Sequence, residues 1–295
     1  MSKIIVTGGL GFIASHLVDR LISLKHEVFI WDNLSTGKRE NLNPKAVFTG
    51  VHDIKNKDVY ITEPTDYIFH LAALPSVPYS VENPIETHDV NINGTLNILE
   101  FAKNYSVKKV IFASSSAVYG DQELPLTEDK PTKPKSPYAF HKAVGEGYMR
   151  LFTEVYDLPT ISLRFFNVYG PRADPENEYS LVISKFLKQK QEGKHLTIYG
   201  DGEQSRDFVY VDDVVDALIA AMEKGSVKSE EINICSGERI TINKIADLIG
   251  GEKDYLPIRK GDVLHTLGSN SKAKRLLNWK PKTSMEDGIR GFKAL

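Results

Sequence analysis

A chain of 295 residues can bury a sizeable core as one large domain or two modest ones, and its 41% hydrophobic and 26% charged residues exclude the apolar poverty of a disordered chain. Lysine and arginine number 37 against 39 aspartates and glutamates, so a net charge of −2 excludes a global attraction to nucleic acid or to an anionic membrane. The single cysteine, Cys235, excludes an internal disulfide, reads as a small core residue and fits a reducing compartment.

The N-terminus runs from one lysine into a short apolar stretch and a glycine turn, which reads as a strand rather than a signal peptide. No apolar stretch approaches the roughly 20 residues that cross a bilayer, so the expected location is the cytoplasm. Short β-branched runs then alternate with helical patterns. Strands are expected at 3–7, 27–31, 67–71, 109–114 and 160–165, and helices at 12–24, 91–104 and 138–156. This order winds a parallel sheet, and the strands lack strict polar alternation, as strands covered on both faces do. After Phe166 the pattern loosens through Gly170, Pro171 and a polar stretch at 172–178, ahead of a helix at 180–192. A domain change is expected there: residues 1–166 form one unit, joined by a strand and helix at about 207–223, and residues 167–295 form the second. No internal repeat or low-complexity tract is visible.

Gly8, Gly11 and Ala14 follow the first strand and open the first helix. Such small residues let the backbone turn sharply and approach a pyrophosphate, whose charge the helix N-terminus favours. The second strand ends at Asp32, where a carboxylate can hydrogen-bond ribose hydroxyls and repel a 2′-phosphate, which favours NAD over NADP. The plainer alternative is that Asp32 starts a turn in DNLSTG. Lys38 and Arg39 would weaken the preference for NAD if they faced the ribose.

Ser136 and Pro137 read as the cap and first turn of a helix carrying Tyr138 and Lys142, four residues apart on one face. A free tyrosine titrates near 10 and needs help to act as a base at neutral pH. An ammonium about 4 Å away, at an effective dielectric of about 20, is worth roughly 4 kcal/mol, or about three pKa units. The alternative is that Lys142 pairs with Glu146 on a solvated face. The glycine turn upstream and the serine-rich strand end at Ser114, Ser115 and Ser116 favour the proton-transfer reading.

With these motifs assembled, the chain resembles the extended short-chain dehydrogenase/reductases, and within them the UDP-hexose 4-epimerases. The likeness rests on TGGLGFIASH, HLAA at 70–73, DVNINGT around Asn91, SSSAVYG at 114–120, YAFHK at 138–142, LRFFNVYGPR, GDGEQSRDFVYVDD and RKGD, and runs almost end to end. It implies a Rossmann doubly wound parallel sheet with a smaller C-terminal α/β domain for a nucleotide sugar. It also implies bound NAD, no metal, and a homodimer that pairs the helices at 91–104 and 138–156.

Carried over position by position, the resemblance makes Ser115, Tyr138 and Lys142 the catalytic group. NAD is expected to meet Gly8, Gly11, Phe12, Ile13, Asp32, Asn33, Ser35, Thr36, Gly37, Asp53, Ile54, Leu71, Ala72, Ala73, Asn91, Ser114, Tyr138, Lys142 and Phe165. The sugar nucleotide is expected to meet Ser115, Tyr138, Asn167, Arg206, Arg259, Asp262 and Thr266. Among these, Arg206 and Arg259 match phosphate contacts, Asp262 the nucleotide ribose, and Thr266 a position bordering the sugar C2 substituent, where a small residue leaves room for an N-acetyl group. Ala14 replaces the family's third glycine, Phe165 a frequent tyrosine, and Pro75 a residue that is basic in some epimerases.

The implied reaction is inversion at C4 of UDP-glucose/UDP-galactose, with UDP-GlcNAc/UDP-GalNAc as a second pair. A 4,6-dehydratase or decarboxylase would place acids just after Ser115, where Ser116 and Ala117 stand. A net reductase stays open, and a non-catalytic NAD sensor would typically lack the tyrosine or the lysine.

Overall fold

The computed structural model describes residues 1–48, 50–56, 64–175, 182–258 and 264–293. In chain order its strands are β1 (Lys3–Thr7), β2 (Glu27–Trp31), β3 (Tyr67–His70), β4 (Lys109–Ser115), β5 (Thr160–Phe165), β6 (Asn167–Tyr169), β7 (Leu196–Tyr199), β8 (Ser205–Arg206), β9 (Phe208–Tyr210), β10 (Glu230–Ile234), β11 (Ile240–Thr241) and β12 (Lys253–Leu256). The helices are α1 (Phe12–Ser23), α2 (Val77–Glu82), α3 (Pro84–His88), α4 (Gly94–Asn104), α5 (Pro137–Tyr156), α6 (Val182–Gln191), α7 (Val211–Glu223), α8 (Ile242–Ile249), α9 (Ser271–Leu277) and α10 (Met285–Lys293). None of the described helices is long and apolar enough to cross a membrane.

Six strands form one all-parallel sheet in the order β10-β5-β4-β3-β1-β2. Its strands are almost wholly buried, because α1 and α7 cover one face and α4 and α5 the other, so each strand is apolar on both sides. The doubly wound α/β expectation is met. The order reverses between β1 and β3, which opens a crevice at the strands' C-terminal ends.

Two features escaped the sequence reading. Phe29 and Asp32 each make an isolated parallel bridge outward, to Val47 and Val51, so a vestigial strand lies beyond β2. The helix expected at 91–104 begins instead as a π-helical turn at Asp89–Asn93 that runs into α4. The extra residue per turn re-aims Asn91, and such turns recur at functional sites.

Helix α7 returns to pack against α1 and the large sheet. The remaining C-terminal elements enclose a second core of Ile183, Phe186, Leu196, Ile198, Phe208, Ile245 and Ile289. Three two-stranded ladders, β6–β9, β8–β11 and β7–β12, lie outside the large sheet. Cys235 is fully buried beside Val118, Tyr119, Leu126 and Phe166.

Candidate functional site

Gly8 leaves β1 with φ of +68°, and a Cβ there would lie 2.9 Å from the Ala72 backbone. Main chain thus meets main chain at the point where the strand order reverses, a closeness that only glycine allows. Gly11 caps α1 without a side-chain hydrogen bond, and the first turn carries no acid, so the opening amides of α1 suit an anion. Asp32 braces this turn from the end of β2: its Oδ2 accepts from Leu10 N at 3.0 Å and its Oδ1 from Leu34 N at 2.7 Å. The turn expected at Asp32 forms, and the same carboxylate also grips the glycine loop. A Cβ on Gly37 would fall 2.5 Å from Asp32 Oδ1, so the loop closes over the carboxylate. Lys38 lies 3.8 Å from Asp174 and Arg39 sits over Phe48, so neither side chain is drawn to Asp32.

The far wall of the crevice is fixed by a buried chain of hydrogen bonds. Leu71 N and Ala72 N donate to Thr7 Oγ1 at 3.2 and 3.1 Å. Thr7 Oγ1 is 2.8 Å from His70 Nδ1, His70 Nε2 is 2.9 Å from Thr95 Oγ1, and Thr95 donates to the Asn91 carbonyl at 2.7 Å. One proton arrangement satisfies all of these contacts: a neutral imidazole protonated at Nε2. Burial, with Lys142 adding to it, lowers His70 to about 3. Asn91 shapes the loop after β3 through its side-chain amide, accepting from Leu74 N at 2.8 Å and donating to Leu74 O at 3.0 Å. Further out, Asp53 and Asn33 hydrogen-bond at 3.4 Å, and Ile54 is buried against Gly94.

Ser136 caps α5 by accepting from Ala139 N at 3.1 Å, and Ser80 accepts from Tyr138 N at 3.1 Å, so the start of the helix is held from two sides. This brings the Tyr138 phenol near the Ser115 hydroxyl at the end of β4, close enough for that hydroxyl to lower the phenol's pKa. Lys142 Nζ donates to the Ala113 carbonyl at 2.7 Å and stands 6.0 Å from the centre of the Tyr138 ring.

Burial pushes the Tyr138 phenol above its ordinary value and the Ser115 hydroxyl draws it back. Burial likewise lowers Lys142 to about 8, with Glu146 opposing. The alternative pairing of Lys142 with Glu146 on a wet face does not form, since Glu146 is buried and paired with Arg164 at 2.8 Å. The Ser114 hydroxyl donates to Glu146 Oε1 at 2.5 Å.

Beyond the large sheet, Asn167 Nδ2 donates to Asp207 O at 2.9 Å and lies 3.4 Å from Thr266 Oγ1, which accepts from Asp207 N at 3.1 Å. Asp207 itself went unnoticed in the sequence. Its fully buried carboxylate accepts from Ser236 N, Ser236 Oγ, Gly237 N and Gly268 N, at 2.7 to 3.0 Å. The Arg206 guanidinium is tethered through Nη1 to the carbonyls of Ser205 and Leu264, at 3.0 and 3.1 Å. Arg259 and Asp262 lie outside the described residues.

Comparison with known proteins agrees with this arrangement. A solved UDP-glucose 4-epimerase from Thermotoga maritima, holding UDP-glucose, superposes with a TM-score of 0.94 at 40% identity, covering 99% of this chain and 97% of that one. A UDP-N-acetylglucosamine 4-epimerase from Methanobrevibacter ruminantium, in complex with UDP-N-acetylmuramic acid, gives 0.94 at 41% identity over 99% and 97%. The UDP-glucose 4-epimerase of Mycolicibacterium smegmatis is 36% identical over 97% of this chain and 96% of its own length. The glycine turn bare of side chains, the uncapped α1 and the crevice at the strand reversal fit a dinucleotide, and the family profile covers residues 4–235: the chain belongs to the NAD-dependent epimerase/dehydratase family, and its cofactor is NAD.

Proposed function

We propose that the protein inverts C4 of a UDP-hexose through a 4-keto sugar. The observation that carries this reading is the meeting of Tyr138 and Lys142, on α5, with the end of β4 at Ser115, in the sheet whose first strand leads into the glycine turn. When bound, NAD supplies the hydride acceptor and a nicotinamide cation. Tyr138 takes the proton of the sugar 4-hydroxyl, while the Ser115 hydroxyl hydrogen-bonds the same oxygen. Lys142 holds positive charge beside the phenol and, titrating near 8, exchanges its proton readily at neutral pH. The keto sugar turns about its diphosphate linkage, and as hydride would return to the opposite face of C4, Tyr138 gives the proton back to the C4 oxygen. Arg206, together with Arg259 and Asp262, grips the nucleotide end while the hexose moves, so that binding energy from the unreacting part keeps the intermediate in place.

Residues 1–166 with 207–223 form the cofactor unit in this reading, and residues 167–295 hold the sugar nucleotide. The similarity to both a UDP-glucose and a UDP-N-acetylglucosamine 4-epimerase supports two substrate pairs. A homodimer through α4 and α5 is supported by Phe140, Leu151 and Val155, which recur on α5 at 56%, 45% and 58% exposure.

The test is incubation with UDP-glucose, UDP-galactose, UDP-GlcNAc and UDP-GalNAc, followed by NMR of the products. The expected product is the C4 epimer. A dehydrated or reduced sugar in its place overturns the assignment.

A further inference from the structure

Behind the tyrosine and lysine lies a buried acid that the proton transfer described above does not use. Glu146 stands one helical turn beyond Lys142 on α5 and is 2% exposed. Its Oε1 accepts from Ser114 Oγ at 2.5 Å and from Arg164 Nε at 2.8 Å, and its Oε2 accepts from Arg164 Nη2 at 2.8 Å. Arg164 donates onward to the Tyr119 hydroxyl at 2.8 Å, and Tyr119 donates to Asn233 Oδ1 at 2.7 Å. The carboxylate is thus locked to β4 and to β5.

Three successive residues of β4 therefore meet three residues of α5. The Ala113 carbonyl holds Lys142, the Ser114 hydroxyl holds Glu146, and the Ser115 hydroxyl lies near the Tyr138 phenol. A slip of the helix by one residue would break all three contacts together, because each strand residue offers a different group in a fixed direction. The titratable groups facing Lys142 are Tyr138, His141 and Glu146 on its own helix and His70 on β3. Burial keeps both histidines neutral, at about 4 for His141 and about 3 for His70, so Glu146 is the negative charge among them.

We propose that Glu146, joined to Ser114, is a positioning residue of the reaction: it fixes α5 on β4 so that Tyr138 and Lys142 stay in register with Ser115, and it sets a carboxylate one helical turn from the Lys142 ammonium. The proposal rests on the proton-transfer reading of Tyr138 and Lys142. It reassigns Ser114 from the cofactor to the helix.

Two variants of the NAD-loaded enzyme separate charge from geometry. Glu146→Gln keeps the outline and removes the charge, so the Lys142 midpoint drops and the alkaline limb of kcat/KM moves down by about one pH unit. Ser114→Ala leaves the Arg164 pair intact, so kcat falls about tenfold with the limb in place. The midpoint is read directly by NMR titration of protein carrying isotope-labelled lysine, with the Lys142 signal assigned by its loss in Lys142→Met. Folded Glu146→Gln with an unmoved Lys142 midpoint overturns the proposal. Folded Ser114→Ala with wild-type kcat does the same, and that arm decides the matter if Glu146→Gln does not fold. If wild-type protein converts no sugar nucleotide, the proposed reaction fails, whereas the Lys142 midpoint still reports on the clamp.

Discussion

The glycine turn follows β1 and Ser115 ends β4 of one parallel sheet, against which α5 sets Tyr138 and Lys142, whereas Asn167, Asp207 and Thr266 meet across sequence separations of 40 and 59 residues. In the first region the sheet register alone sets much of the geometry: Ser115 is the ladder partner of Phe165, and Thr7 of His70. In the second region no sheet of comparable size does this, and a single buried carboxylate, Asp207, gathers the segments. A region built on a shared scaffold should lose chemistry when a functional atom is removed and keep its fold. A region gathered by one group should lose its shape.

Tyr138→Phe is the sharpest test of the first half of that contrast. It removes the proton acceptor and keeps the ring, so kcat should fall about a thousandfold, or about 4 kcal/mol, with thermal unfolding unchanged. Turnover within tenfold of wild type would place the proton transfer elsewhere. Asp207→Asn tests the second half. The new amide turns its NH2 toward either the Ser236 donors or the amides of Gly237 and Gly268, and about 3 kcal/mol of stability should be lost in urea unfolding, together with a raised KM for the sugar nucleotide. An unmoved unfolding midpoint would show that Asp207 gathers nothing.

A pH experiment sharpens the comparison, because the first region carries its own buried imidazole. Burial holds His70 at about 3, against 6.5 for an unperturbed histidine. Between those values the unfolded chain binds a proton that the folded chain refuses. The stability from His70 is therefore complete above pH 6.5 and is lost as pH falls, by about 2 kcal/mol at pH 5. Urea unfolding at pH 7 and pH 5 should show this slope in wild type and lose it in His70→Asn, which cannot titrate. Equal slopes would mean that His70 is protonated in the fold, and the hydrogen-bond chain from Thr7 to Thr95 would need redrawing.

What was legible in the sequence follows the same division. The strands from β1 to β5 were readable because burial on both faces writes them as near-continuous apolar runs, and Ser136 and Pro137 marked the start of α5 correctly. The vestigial strand at Val47 and Val51 makes isolated bridges and leaves no such run. The π-helical turn at Asp89–Asn93 adds one residue, which barely alters the apolar spacing while re-aiming Asn91 at Leu74. The contact between Ser114 and Glu146 depends on how α5 packs on β4, 32 residues further along the chain, which strand periodicity does not report. Asp207 stood within a recognised motif, but its role depends on amides 29 to 61 residues further on, which periodicity does not report.

Arg206→Lys should give the smallest effect and bears on where the two regions join. The guanidinium is anchored through Nη1 by two main-chain carbonyls, of Ser205 and Leu264, on a ladder between β8 and β11. Lysine keeps the charge but loses the planar fork that can hold such an anchor and grip a phosphate oxygen together. With charge retained, about 1 kcal/mol of substrate binding should go, seen as a KM raised about fivefold at nearly constant kcat. An equal fall in kcat with KM unchanged would mean that Arg206 acts in the transition state. The substrate end would then belong with Tyr138 as part of the chemistry, and the division between a reacting scaffold and a gathered grip would not hold.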